Sequence, residues 1–473
     1  MKAVAALVSR VLLAVGATMA ISAAVSLAYG EVVAAVALLL SFLITVGAAA
    51  LGLLLPLPSE LRPTEAMVTA AVGWLAVALF GALPYLMAGS MDALDALFES
   101  MSGFTTTGMT LMRNIESCPK GLLFWRAFTQ WLGGAGVILF LLLFIAPSGV
   151  EVWRLYVAEA REERLAVRAR DIIKEIWAIY AFYTALCAIL LMASGLEPFE
   201  AVCHSFTALS TGGFSTRTNS IASFSNPAVE ATLIAFMIVG AINFKIHGLL
   251  LRLRLREALR DPELRAMALI LAAASLVISL DLAMHGRPLD EALRLAAFQA
   301  TSIMTTTGYT TTDVSCLPPL SQASLLLLMV IGGGVCSTAG GVKVIRFVVL
   351  GKVVGRELAR TTLPPSAIRP IKVGGRALEV EDALKIASLL FAYFLMAGLA
   401  TLLVAAEGHG LIAALSVVLS AQGNVGPAYA SLFSLGPLSK LVLVVCMWAG
   451  RLELTPILLL LSPATWSELT GRK

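Results

Sequence analysis

Four stretches of this 473-residue chain align without gaps and hold the residue types best suited to binding an ion. They read FESMSGFTTTGMT from Phe98, CHSFTALSTGGFS from Cys203, FQATSIMTTTGYT from Phe298 and SVVLSAQGNVGPA from Ser416. Ser102, Thr207, Ser302 and Ser420 share a column, as do Thr106, Thr211, Thr306 and Asn424. A third column, Gly108, Gly213, Gly308 and Gly426, is invariant across the four. What these segments offer is oxygen. Backbone carbonyls and threonine hydroxyls can replace the hydration shell of a passing cation. Pointing successive carbonyls the same way alternates right- and left-handed backbone, and glycine takes the left-handed conformation without steric cost. One threonine-glycine cluster would be ordinary turn material; four aligned copies, each between two apolar runs, are not.

Each stretch is half-polar and too short to cross a bilayer, so it must dip in and return. Irregular backbone at membrane depth is tolerated only where protein buries it or where it lines a water-filled cavity. Four such segments are best satisfied by converging on one axis. The first half of each reads as a short helix. Acids stand at the start of three of them: Asp92 and Asp95, Glu197 and Glu200 around Pro198, and Asp290 and Glu291. Acids and a first-turn proline suit a helix N-terminus. The C-terminal carbonyls then point toward the axis, where their partial negative charge stabilises a cation.

The elements that position these segments are apolar spans. Hydrophobic residues make up 59% of the chain and charged residues 14%, against about 25% charged in an ordinary soluble domain. Ten candidate spans, of a length near the ~20 residues a crossing helix needs, run over 11–29, 32–55, 66–87, 122–145, 176–194, 228–242, 266–283, 324–354, 386–406 and 441–461. The first is read as retained, since it is too long and too promptly followed by a second to be a cleaved signal. Formal net charge is only +4, but the basic residues are unevenly distributed. Arg154, Arg161, Arg164, Arg168, Arg170 and Lys174 fill one connection; Lys245, Arg252, Arg254, Arg256, Arg260 and Arg265 another; Lys343, Arg346, Lys352, Arg356, Arg360, Arg369, Lys372 and Arg376 a third. The positive-inside rule makes these cytoplasmic and puts both termini inside a multi-pass plasma-membrane (inner-membrane) protein. Basic loops this short between spans argue against nucleic-acid binding. The six cysteines have no CxxC spacing, which argues against a metal cluster. Packing is their default role; Cys118 and Cys316, both in outward segments, have pairing as the alternative.

The repeated stretches resemble the superfamily of potassium transporters that includes TrkH, KtrB and HKT. Its members carry four fused copies of the helix, pore loop, helix unit of potassium channels, each with a single filter glycine in place of TVGYG. Two spans before the first repeat are similar to TrkH rather than KtrB. The resemblance implies an all-α integral membrane protein with two extra helices before four repeats around a pseudo-fourfold pore. The units would be 1–60, 61–150, 151–255, 256–360 and 361–473. It implies a selectivity filter for potassium, with sodium or rubidium as related ions, at Thr106, Thr107, Gly108, Thr211, Gly212, Gly213, Thr306, Thr307, Gly308, Asn424, Val425 and Gly426. It also implies no enzyme activity, no cofactor in this chain, a homodimer, and a ring of cytosolic TrkA-like nucleotide-binding subunits.

Two further features bear on gating. GGGVCSTAGG, at 332–341, interrupts an apolar run with five glycines, each costing about 1 kcal/mol against alanine in a helix. An unwound segment below the filter is the economical reading, with a close-packing glycine patch as the alternative. A phosphate loop does not fit, because the Gly-Lys-Ser/Thr ending is missing. In TrkH-like proteins the corresponding element is an intramembrane gate loop, implying roles for Gly332, Gly333, Gly334, Ser337, Thr338, Gly340 and Gly341. Arg451 stands in the middle of the run 441–461, where a charge costs at least about 2.5 to 3.5 kcal/mol. Facing the axis, it would donate to carbonyls of the glycine-rich segment and repel cations. Glu453 is expected on nearly the opposite face of a continuous helix. His204 reads as a packing or hydrogen-bonding residue, and His247, His285 and His409 as polar residues at span ends. Asp313 reads either as a cation-concentrating acid or as an exposed loop acid.

The rival from another class is a sodium- or proton-coupled secondary transporter, whose folds usually show inverted pairs of repeats; here all four share one orientation. No span carries arginines at three-residue intervals, as a voltage sensor would, and no spacing suggests a nucleophile with its base.

Overall fold

The computed structural model describes residues 1–56, 62–148, 165–362, 370–374 and 376–470, with side chains of 137–148 and 165–173 left aside. The side chains of the basic cluster from Arg154 to Arg170, and Arg369 and the Arg376 side chain in the third cluster, lie outside what is described. Two long helices, Lys2–Ala28 and Val32–Leu53, pack against each other and precede the repeats. Serines and threonines on them bond carbonyls of the preceding turn: Ser41 Oγ donates to Ala37 O at 2.8 Å and Thr45 Oγ1 to Ser41 O at 2.7 Å. In that way polar side chains are satisfied without water.

Each repeat then follows one plan: an outer span, a short pore helix, an extended return and an inner helix. The outer spans are Pro63–Met87, Lys174–Ala193 within a longer helix, Pro262–Met284 and Val380–Ala405. The pore helices are Ala93–Phe104, Pro198–Leu209, Leu289–Met304 and Leu411–Gly423. Asp92 caps the first through Asp95 N at 2.9 Å, Pro198 opens the second, and Asp290 and Glu291 occupy the first turn of the third. The fourth starts after Gly410 with no first-turn acid.

The inner helices depart from straight spans. The first runs over Lys120–Ser148. The second, Pro227–Ala241, turns by 111° into Phe244–Leu251. The third is interrupted, as Pro319–Val330 stops and Val344–Arg360 resumes beyond the glycine-rich segment. The fourth, Pro437–Arg451, turns by 117° into Thr455–Leu461, so the expectation of one continuous helix over 441–461 is corrected. Arg451 is the last residue of its helix, and Glu453 and Leu454 take left-handed backbone at φ 57° and 65°. Glu453 therefore lies on a bend, where it pairs with Arg346. The all-α reading needs one small addition, a hairpin of Ile371–Val373 with Arg376–Leu378.

The Cys118–Cys316 alternative is also corrected: both thiols are free, Cys118 beside Met112 and Cys316 beside Asp313. His247, expected at an interface, is buried with Nε2 against Val239 O at 2.9 Å, because the 111° bend folds it back under its own helix.

Candidate functional site

The pore helices end in the same hydrogen-bonded turn four times. Thr107 N donates to Ser102 O at 2.9 Å, Gly212 N to Thr207 O at 2.8 Å, Thr307 N to Ser302 O at 2.9 Å and Val425 N to Ser420 O at 2.9 Å. The preceding amides of Thr106, Thr211, Thr306 and Asn424 reach back to Gly103, Ala208, Ile303 and Ala421 at 3.0 to 3.2 Å. This pair of bonds is the Schellman arrangement, which requires a left-handed residue at its turn. Thr106, Thr211, Thr306 and Asn424 supply it at φ 53°, 52°, 56° and 54°. The threonine column thus bears left-handed backbone as well as the glycine column, without glycine's freedom from steric cost. Left-handed backbone at a non-glycine residue costs about 1–3 kcal/mol and persists only where the surroundings over-determine it; all four residues are fully buried.

Two residues on, Gly108, Gly213, Gly308 and Gly426 are left-handed again, at φ 82°, 78°, 80° and 110°. Here side chains are excluded by neighbours as well. A Cβ on Gly108 would sit 2.3 Å from Gly212 O, one on Gly213 1.8 Å from Thr307 O, and one on Gly308 1.8 Å from Val425 O. A Cβ on Gly426 would lie 2.8 Å from Thr107 O. The contacts run from repeat one to two, two to three, three to four and back to one. Four carbonyls, each from the residue before a glycine, are therefore arranged in a closed ring.

The inner helices support this ring by close approach. A Cβ on Gly133 would meet Phe104 O at 2.1 Å, one on Gly240 Leu209 O at 2.5 Å, and one on Gly450 Gln422 O at 1.8 Å. Phe104, Leu209 and Gln422 share a column of the aligned stretches. These helix glycines were not singled out in the sequence, because they follow their carbonyl partners by unequal spacings and share no column of the gapless alignment.

Beneath the ring lies the segment joining Val330 to Val344. It is tied at its base by Gly332 N to Val342 O at 2.9 Å and Val342 N to Val330 O at 3.0 Å. Its tip reaches the threonine column directly: Gly340 N donates to Thr306 Oγ1 at 2.7 Å, and Thr211 Oγ1 lies 3.2 Å from Thr338 Oγ1. Thr338 Oγ1 also donates toward Leu209 O and Gly240 O, both at 2.9 Å. A Cβ on Gly340 would be 2.8 Å from that of Asn424, so the loop passes under the second, third and fourth repeats. Ser337 Oγ closes a turn onto Gly334 O at 2.6 Å, and Gly334 N donates to Ala241 O at 2.8 Å. Gly333 O accepts from Val344 N, and a Cβ on Gly341 would strike Gly332.

Arg451 extends under the remaining side. Its Nη1 donates to Thr338 O at 2.7 Å and its Nη2 to Gly133 O at 2.9 Å. Both acceptors are carbonyls, and among the described residues no carboxylate stands in salt-bridge contact with the buried guanidinium, whose charge faces the space beneath the ring. Glu263 holds the loop from outside, accepting from Val335 N at 2.9 Å, and Lys343 Nζ donates to Ala339 O.

On the outer side, the buried pair Glu99–Arg126 at 2.6 Å joins the extended returns of the first two repeats. Glu99 accepts from Thr110 Oγ1 and Leu111 N, while Arg126 Nη1 donates to Ser215 O at 2.8 Å and its guanidinium lies 3.6 Å from the Phe214 ring centroid. His204 bonds Glu200 O and Ser215 Oγ at 2.7 and 2.9 Å. Asp313 is spent locally, accepting from Ser315 N at 2.9 Å and Ser315 Oγ at 2.7 Å. Those bonds hold its carboxyl below the usual carboxylate range.

A family model described as TrkH, cation transport protein, matches residues 40–468. The chain belongs to the TrkH family. The Trk system potassium uptake protein TrkH of Halomonas elongata is 35% identical over 442 residues, covering 90% of this chain and 91% of that protein. The Escherichia coli protein of the same name is 33% identical over 422 residues, covering 86% and 87%. An uncharacterized cation transporter of Methanocaldococcus jannaschii is 35% identical over 409 residues, covering 85% and 83%. The crystal structure of the potassium transporter TrkH from Vibrio parahaemolyticus superposes with a TM-score of 0.89 at 32% identity, covering 98% of this chain and 99% of that one. As a TrkH-family member this is a multi-pass membrane transporter of cations.

Proposed function

We propose that this chain takes up potassium by channel-like permeation through the carbonyl ring, with the 332–341 segment and Arg451 as its gate. The observation that carries the reading is the closed cycle of glycine-to-carbonyl contacts, because four oxygens facing one another around an axis form a cation site and little else. Thr106, Thr107, Gly108, Thr211, Gly212, Gly213, Thr306, Thr307, Gly308, Asn424, Val425 and Gly426 make the filter. The loop, seated on Thr306 and Thr211, blocks the inner mouth, and Arg451 adds a repelling charge there. Coupled transport is not favoured by four repeats of one orientation. The chain lies in the plasma membrane with both termini cytoplasmic, works as a homodimer, and docks a cytosolic TrkA-like nucleotide-binding subunit through its basic loops; the family resemblance supports these assignments.

The test is tracer flux in liposomes with purified protein, comparing the parent with Gly308→Ser. A serine Cβ would collide with Val425 O and Pro427. Potassium-favouring flux that loses selectivity in the variant is the expected result. Identical selectivity in the two proteins would overturn the filter assignment.

A further inference from the structure

The second filter reads Thr-Gly-Gly where the first and third read Thr-Thr-Gly and the fourth Asn-Val-Gly. The extra glycine has a local reason. A Cβ on Gly212 would fall 2.4 Å from both Cδ and Oε1 of Gln130 and 2.9 Å from Nε2. The space that a threonine or valine side chain fills in its equivalents is occupied here by an amide from the inner helix of the first repeat.

That amide is fully buried and both its ends are used. Nε2 donates to Gly212 O at 2.7 Å, and Oε1 accepts from Phe214 N at 3.0 Å. The reverse orientation would set donor against donor and acceptor against acceptor, so the hydrogen-bond pattern fixes it. One side chain thus clamps the backbone on both sides of Gly213. Arg126, one turn earlier on the same helix, holds Ser215 O, extending the clamp outward.

Gly212 O is one of the four ring carbonyls. Among the described residues, the other three, Thr107 O, Thr307 O and Val425 O, accept no hydrogen bond. The ring therefore has three unshared oxygens and one whose direction is fixed and whose second lone pair is engaged. A filter discriminates by the size its carbonyls hold open and by their field strength. An oxygen restrained by a buried amide cannot swing inward to a smaller ion, and a carbonyl already accepting a hydrogen bond is a weaker ligand for one. Both effects disfavour sodium.

We propose that Gln130 is a specificity-determining positioning residue, which sets the ion preference of the carbonyl ring by clamping the second filter, and that Gly212 is glycine to admit it. The inference rests on the filter reading above. Gln130→Met keeps the length of the side chain and removes both hydrogen bonds. With the parent, Gly308→Ser and Gln130→Met reconstituted in parallel, the potassium-to-sodium flux ratio of Gln130→Met falls about threefold to tenfold, the range one net buried hydrogen bond supplies. Gly212→Ala alone loses flux, and Gly212→Ala with Gln130→Ala recovers flux at the lowered ratio of Gln130→Met, because truncation clears the colliding atoms while the clamp stays absent. A parent-like ratio in Gln130→Met while Gly308→Ser is altered overturns the role of Gln130 and leaves the filter standing. Parent-like flux in Gly212→Ala alone, or no recovery of flux in the double variant, overturns the steric part. An unaltered ratio in Gly308→Ser overturns the filter reading and this inference with it.

Discussion

The bond between Gly340 N and Thr306 Oγ1, 2.7 Å long and fully buried, ties the loop at 332–341 to the proposed filter. Thr306→Val removes the acceptor and changes little else, since valine copies the shape of threonine and is equally β-branched at φ 56°. The seated loop would then hold an unpaired buried amide, at a penalty of about 1–3 kcal/mol. Because the penalty applies only while the loop is seated, it shifts the seated-to-displaced ratio by about 5- to 150-fold. The assay is rubidium tracer uptake into proteoliposomes at matched protein. Thr401→Val serves as the control, because the Thr401 hydroxyl bonds only Ala397 O in its own helix. Resting uptake rises in Thr306→Val and stays at the parent level in Thr401→Val. Uptake equal to or below the parent's in folded Thr306→Val would refute the idea that this hydroxyl latches the loop.

Arg451→Ala removes the bonds to Thr338 O and Gly133 O and a positive charge under the ring, so resting flux should increase; unchanged or reduced flux with normal expression counts against gating by this residue. Asp313 has its carboxyl held low by the Ser315 hydroxyl and amide, so its contribution to stability is present above the unfolded carboxylate pKa and is lost as pH falls through the folded value. Melting of Asp313→Asn should therefore lie below the parent's at about pH 7 and approach it as pH falls through and below the carboxylate range; parallel curves would contradict this. Cys316 is free and exposed, so a membrane-impermeant maleimide should label it on intact cells and fail to label Cys316→Ser; protection until the cells are opened would reverse the proposed orientation.

The fourfold plan was legible because its period lies in polar interruptions, where few residue types can do the work. The invariant column Gly108, Gly213, Gly308 and Gly426 takes left-handed backbone against a neighbouring carbonyl at every copy, so two constraints select the same residue. The unwound third inner helix was equally readable, since five glycines in one apolar run contradict helix propensity. Positions governed by tertiary partners were not readable. Gln130 and Arg126 are single polar residues in an apolar run, and the reason for each lies far along the chain, at Gly212 and Phe214 for one and at Glu99 and Ser215 for the other. The bend after Arg451 was missed because hydropathy continues through it. Its signal was Pro456, which occupies the first turn of the next helix and is favoured there because that amide has no partner to lose. Left-handed threonines escaped notice because local sterics argue against them and only the repeated turn imposes them.

A pore assembled from four identical subunits must write every change four times. Among the described residues, the third inner helix is the one opened by a long loop rather than a bend, and its loop lies against Thr211, Thr306 and Asn424 of three different repeats. Four copies of that loop would compete for the volume one of them fills. Joining the repeats in a single polypeptide removes the conflict. On the proposed reading one quarter serves as a plug, another supplies the arginine beside it, and the ring above keeps its glycines, so that obstruction and selection are free to diverge within the same axis.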